Sequence, residues 1–271
     1  MKSPRELSID IRLIDMIDDF KLSGKAMEGL KMLLADEELQ AAQEYANTVS
    51  IVRLGYNDHG PVHMRTVTYN GVLMMDLLKK AEIKTSFEKE ECGDFEDSLM
   101  AVILGSLLHD LGMCMGRQNH ELHSTILALP IIDRVLSAVY EDDWHKITMI
   151  RSAALEGIAG HMGTIHISSL EAGIVQVADG CDMTKGRARI PISLINTPRI
   201  GNIHQYSADS IEKVDIIAGT DKPIRIDIKM SSAAGLFQVE EILMQKVANS
   251  TAKGHIELYA QVREETEKRY L

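Results

Sequence analysis

Residues 99–108 are apolar almost all round, and they run straight into His109 and Asp110. A helix that is apolar on every face belongs in the middle of a core. The rest of the chain must therefore wrap around this segment, with a carboxylate and an imidazole at its end. Burying such a pair costs on the order of several kcal/mol unless hydrogen bonds or a cation compensate. A lone His-Asp pair is most simply a satisfied hydrogen bond in a core. What shifts the weight is how many other histidines the chain brings to it.

Upstream, residues 1–56 read as helices. Leu30, Leu33 and Leu34 share a face, and Asp36 caps a further helix to about residue 54. Next, Asn57 or Asp58 can cap a helix whose first turn tolerates Pro61. His59 and His63, four apart, would then lie on one face of it. That helix runs to about residue 80. The charged stretch 82–96 reads as a solvated connection.

Downstream of Gly112 come Arg117, His120 and His123, with Asn119 as a cap for a helix to about residue 129, which Pro130 ends or kinks. A helix over 131–140 follows, and Asp142 and Asp143 lead another over 144–158. His145 reads as a surface residue. His161 stands at the tip of the next turn, with His166 in the same loop. Ser168 and Glu171 form a capping box for a helix that ends at Lys185-Gly186. Asp179 lies within it among Ile174, Val175, Val177 and Ala178, and a mid-helix acid in such company wants a partner. Lys185, Arg187 and Arg189 form the most basic stretch of the chain. They either meet the helix macrodipole or bind phosphate.

Near Pro198 the periodicity changes. Residues 214–218, 224–230 and 256–262 alternate as strands do, with an amphipathic helix over 234–249 between the second and third. The expectation is a mainly α chain in two parts: a helical domain over 1–198 and a small α+β module (β-β-α-β) over 199–271, with residues 219–223 as its first hairpin turn. Three strands leave open edges, which favours pairing with a second copy, so a homodimer is expected.

Bulk properties bound the function. The net charge is −11, which argues against a general nucleic-acid surface. No signal peptide and no apolar stretch of membrane-spanning length are read from the sequence, so no membrane is expected. Three widely spaced cysteines suit a reducing cytoplasm and form no zinc-type pair.

In order, His59, His63, His109-Asp110, His120, His161 and Asp179 form one series spread over successive helices. This series resembles the HD superfamily of metal-dependent phosphohydrolases, over roughly residues 50–192. The resemblance rests on the doublet in Leu107 to Gly112, on Val67 four residues after His63, and on Asp179 in its helix. It implies a helical HD domain in which His63, His109, Asp110 and Asp179 hold a metal. Members with two metals add two histidines, matching His120 and His161. The HD-GYP branch also uses a residue four before the first His, here His59, and the doublet Asp bridges the metals, here Asp110. Two departures stand out. Met113 occupies a position where many members carry a basic residue, which makes Arg117 the candidate to replace that charge. The GYP signature is absent, so a cyclic-dinucleotide substrate does not carry over. His123 and His166 have no counterpart and read as structural or supporting.

Imidazole-rich donors suit Mn, Fe, Co, Ni or Zn better than Mg. One or two such ions would activate water for in-line attack on phosphorus. The expected function is therefore a phosphomonoesterase or phosphodiesterase acting on a nucleotide or other small phosphorylated molecule. Asp110 and Lys185 would take part in catalysis, and Arg117, Lys185 and Arg187 would bind the phosphate. The alternatives are a metal-stabilised sensor or scaffold that binds a nucleotide without cleaving it, and a di-iron oxygenase.

Overall fold

The structure is a computed structural model, and it describes residues 2–184 and 207–271. The apolar run is its centre: α6 (Phe95–Leu108) has every residue buried. Around it stand α1 (Pro4–Asp19), α2 (Lys25–Ala35), α3 (Glu37–Thr48), α4 (Pro61–Lys80), the single turn α5 (Ser86–Lys89), α7 (His120–Tyr140), α8 (Trp144–Gly160) and α9 (Leu170–Cys181). Helices α2, α4, α8 and α9 pack directly on α6. Leu, Ile, Val, Met and Ala side chains fill this core, including the fully buried Met64, Met74, Met75 and Met100.

Several local expectations are corrected. The stretch 82–96 is not simply a solvated connection. Phe87 is buried, and so is Glu96, whose carboxylate accepts from the backbone amides of Ser23, Gly24 and Ala26. A carboxylate from α6 thus satisfies the first turn of α2, which has no capping side chain of its own. Pro130 does not end its helix, and α7 continues to Tyr140. Pro130 is exposed, and so is Ile126 four residues earlier, so the carbonyl that loses its bond faces water. Helix α9 is capped by Ser169, not Ser168, because Glu171 is drawn into the core by the amide of Ser86 and the hydroxyl of Ser98. It stops at Cys181 with Asp182 as its C-cap. Two helical stretches, Phe95–Cys114 and His120–Tyr140, are long and apolar enough to cross a membrane, contrary to the reading from sequence. The first is 94% buried inside the protein, so its apolar surface is spent on the core.

The C-terminal module is a mixed sheet in the order β1-β2-β3-β4, formed by β1 (Ile211–Ala218), β2 (Ile224–Met230), β3 (Ile256–Val262) and β4 (Lys268–Arg269). β1 and β2 form the expected antiparallel hairpin, closed by the Gly219 amide on the Pro223 carbonyl at 3.2 Å. β3 runs parallel to β2, which requires a crossover. That crossover is the expected helix, but a π-helical segment, Gln238–Leu243, leads into α10 (Met244–Asn249). The two-residue β4 is an addition, paired antiparallel to β3. The module rests on the bundle: α10 and the turn after it pack against α9, and the first two strands touch α4. The Ser250 hydroxyl donates to the Gly173 carbonyl at 3.0 Å, and that of Thr251 donates to the Ser169 carbonyl at 2.6 Å. The expected boundary between residues 198 and 199 lies outside the described residues.

Candidate metal centre

Asp110 follows directly on the end of α6, where the chain turns through a short 3-10 segment, Leu111–Cys114. Gly112 in that turn lies against α7: a Cβ there would meet the His120 carbonyl oxygen at 2.0 Å, and its amide donates to the Ser124 hydroxyl at 2.8 Å. The glycine is what lets α7 start close enough to bring His120 to Asp110. Met113 is buried in the core and does not face the site.

Six of the seven residues expected as ligands reach Asp110 or its direct neighbours from separate elements. His63 stands in the first turns of α4. His59 is not one turn earlier on that helix, because α4 begins at Pro61 with Gly60 as its cap. His59 lies in the preceding loop. Its backbone amide donates to the Asn47 side chain at 3.1 Å, and the Asp58 carboxylate accepts from the Gly60 amide at 2.8 Å. From there His59 Nδ1 still reaches Asp110 Oδ2 at 2.8 Å. His109 caps α6, His120 opens α7, His161 closes α8, and Asp179 stands in the last turn of α9.

The two oxygens of Asp110 divide these donors. Oδ2 lies 2.8 Å from His59 Nδ1, 3.2 Å from His63 Nε2 and 3.4 Å from His109 Nε2. Oδ1 lies 3.2 Å from His120 Nε2 and 3.6 Å from His161 Nε2. Asp179 Oδ1 joins the first set, 3.3 Å from His63 Nε2 and 3.7 Å from His109 Nε2. Within each of three overlapping trios, the donor atoms lie within 4.8 Å of one another. These are His59-His63-Asp110, His63-His109-Asp179 and His109-Asp110-His161, and every member is buried.

The far side of four of the rings constrains the tautomer. Nδ1 of His109 faces the Ser106 carbonyl at 2.8 Å, that of His120 the Arg117 carbonyl at 3.0 Å, and that of His161 the Ile158 carbonyl at 2.7 Å. A carbonyl only accepts, so these nitrogens carry a hydrogen, and Nε2 bears either a second proton, donated to Asp110 or Asp179, or a lone pair that can face a cation. His63 Nδ1 meets Asp182 Oδ2 at 2.6 Å in the same way. Arg117, which can only donate, points Nη1 at His120 Nε2 from 3.2 Å. Yet His63 Nε2 and His109 Nε2 are 3.1 Å apart, as are His120 Nε2 and His161 Nε2. Two lone pairs facing each other at hydrogen-bond distance repel unless a proton or a cation lies between them. The donor set therefore fits a metal ion.

The charges agree. Burial alone would raise the pKa of Asp110, but the charges of His109 and His59 and hydrogen bonds from His109 and His120 hold its carboxyl well below the usual range. Burial opposes ionisation of Asp179 too, and the Lys246 charge with hydrogen bonds from His109 and His63 outweighs it. His161 is pushed well below the ordinary imidazole value by burial and by His109. His109 is raised, because Asp110 and Asp179 overcome its burial. Two anionic carboxylates thus hold positive charge in the middle of the cluster.

A cleft of about 340 Å³ opens over His59, Asp110, His161 and Asp179. Its walls include Tyr56, Asn57, Arg117, Met162 and Met183 from the bundle, and Gln238, Ile242 and Lys246 from the C-terminal module. Lys185 and Arg187 lie outside the described residues. His123 has Nδ1 buried without a hydrogen-bond partner among them, and His166 and His145 are exposed.

Two site residues escaped the sequence reading. Asp182 orients His63; its signal was its place three residues after Asp179, at the helix end. Lys246 pairs with Asp179 Oδ2 from a distant module, and the sequence carries no local sign of that.

No family model and no solved structure matches the chain. Among curated proteins, the uncharacterized protein MJ1020 of Methanocaldococcus jannaschii is 39% identical over 245 residues, which is 89% of this chain and 92% of that protein.

Proposed function

The chain belongs to the family of that M. jannaschii protein, and we propose that its centre is a divalent-metal phosphohydrolase site of the HD type, acting on a nucleotide or other small phosphorylated molecule. The observation that carries this reading is the division of five imidazoles and Asp179 about the two oxygens of Asp110. In this reading His59, His63, His109, Asp110 and Asp179 would hold one ion, and His120 and His161, with Asp110, would hold a second where two are bound. Donors so rich in imidazole favour Mn, Fe, Co, Ni or Zn over Mg. Metal bound there would supply an acidified water and offset charge on a phosphoryl group.

The chain's own residues do the rest. Ser106, Arg117, Ile158 and Asp182 hold four of the five imidazoles by Nδ1, so that these present Nε2 without rearrangement, while His59 turns Nδ1 to Asp110. Asp110 stays ionised at neutral pH and needs no proton to leave before it can act as a ligand. Arg117 stands on the cleft wall as a cation for phosphate oxygens, the role left open by Met113, and metal on His120 Nε2 would release its Nη1 for that purpose. Lys185 and Arg187 enter the proposal only through the basic stretch of the sequence in which they stand.

The test is metal analysis of protein purified without a His-tag, joined to a panel of phosphomonoesters and phosphodiesters with Mn, Ni, Co and Mg. Bound metal and turnover that both vanish in Asp110→Ala are the expected result. A folded Asp110→Ala protein with full activity sinks the reading. Tight nucleotide binding with no turnover under any of the metals points to a sensor. Iron with oxygen consumption points to an oxygenase.

A further inference from the structure

Lys246 is a buried lysine at the edge of the metal centre, supplied by the module that the sequence sets apart from it. In the structure its ammonium pairs with Asp179 Oδ2, while Oδ1 of the same carboxylate is turned toward His63 and His109. Its route there is prepared on both sides. At Gly180 a Cβ would meet Lys246 Cδ at 3.2 Å and Leu243 Cδ1 at 2.8 Å, so this glycine lets the lysine stem cross α9. Across the loop, the Cβ position of Gly163 is 3.7 Å from Lys246 Cα. The crossover helix also presents two distinct inner faces. Val239, Leu243 and Val247 are buried in the core, whereas Gln238, Ile242 and Lys246, at the same spacing of four, line the cleft. The π-helical segment Gln238–Leu243 leads directly into this second face, and such segments recur at functional sites.

Charge decides what Lys246 is for. Lys246 offsets the charge of Asp179 through the ion pair at Oδ2. With a divalent ion held by Asp179, the ammonium would lose this counter-charge and be repelled from the centre. Its stem is fixed, and the open side is the cleft, where Arg117 stands on the wall by His120. With two divalent ions, Asp110, Asp179, Lys246 and Arg117, together with Asp182 behind His63 and Glu121 behind His120, would leave the floor of the cleft at about +2; with one ion the same groups would come to about zero. The two-ion sum suits a phosphoryl dianion in an otherwise acidic chain.

Resting on the hydrolase reading of the centre, we propose that Lys246 is a substrate-binding residue: it exchanges Asp179 for a phosphate oxygen when metal is bound, and Lys246 and Arg117 hold the phosphoryl group between them. The C-terminal module is then part of the site, and not an appendage to it.

The experiment is calorimetric titration of inorganic phosphate into the full-length, untagged protein loaded with Mn, comparing wild type with Lys246→Met and Lys246→Arg. A second titration measures Mn binding to each metal-free protein. The expected result is phosphate binding weakened at least tenfold in Lys246→Met and largely restored in Lys246→Arg, with Mn binding not weakened in either. A lysine that only neutralises Asp179 would leave phosphate affinity unchanged, and equal phosphate affinity in wild type and Lys246→Met overturns the proposal. So does a wild type that binds no phosphate. If the Met variant does not fold, amine labelling of the Mn-loaded wild type decides: Lys246 must be protected by phosphate, and unaltered labelling overturns the proposal. Turnover of p-nitrophenyl phosphate is read separately. Lys246-dependent phosphate binding without turnover of p-nitrophenyl phosphate or of any other ester in the panel keeps this inference and removes the hydrolase reading. Turnover with phosphate binding indifferent to Lys246 does the reverse.

Discussion

The most informative residue after Asp110 is Asp182, whose Oδ2 meets His63 Nδ1 at 2.6 Å. A carboxylate behind a ligating imidazole fixes its tautomer and raises its basicity, and removing one typically lowers metal affinity 10–100-fold. Asp182→Asn is therefore expected to lose about that much Mn affinity at an unchanged circular dichroism spectrum; an unaltered affinity would mean that His63 is not a ligand. Glu156 makes a separate, structural prediction. Burial would raise its pKa, but hydrogen bonds from Ser169 and Ser168 outweigh this and lower it. A carboxyl depressed in the folded state adds stability that is present above its unfolded pKa, about 4.3, and is lost as pH falls through the folded value. The stability gap between wild type and Glu156→Gln, read from urea midpoints, should be constant from pH 7 to about 5 and close in more acidic buffer.

At the scale of elements, α6 sets the core and the turn after it sets the site. Leu104 is fully buried in the middle of α6. Leu104→Ala is expected to cost about 2–5 kcal/mol in chemical denaturation, the range for a cavity at a packed leucine. Gly112→Ala tests the joint. The added methyl would meet backbone of α7, which cannot swing aside as a side chain can. Overpacking of this kind costs about 1–3 kcal/mol, and because the strain falls on His120, metal affinity should drop together with the melting temperature. A variant as stable as wild type and binding metal as tightly would show that α7 can retreat without cost.

For the whole molecule, the centre draws its ligands from elements far apart in the chain, so an ion that binds only the folded arrangement must stabilise all of it. At an ion concentration 100 times the dissociation constant the gain is about 2.7 kcal/mol. Differential scanning fluorimetry should therefore show a Mn-dependent rise in melting temperature on the order of 5–10 °C, reversed by chelator and absent in Asp110→Asn. A melting curve indifferent to Mn and to chelator would remove the metal from the account.

The sequence by itself determined most of the longer helices, the three longer strands and the carriers of nitrogen and oxygen, because periodicity and residue type are local properties, whereas the short α5 and β4 and the π-helical segment left no periodic signal. The run 99–108 announced a central helix, the alternation after residue 210 announced strands, and the ordered histidines and aspartates announced that donors would be shared. Tertiary structure alone decided what those residues do for one another. A distant carboxylate, Glu96, caps α2, and solvent exposure lets Pro130 stay inside α7. Asp110 turns one oxygen to each set of imidazoles, and Lys246 crosses from the C-terminal module to Asp179. Each of these depends on which surfaces meet after the chain has closed, and no window of neighbouring residues carries that information.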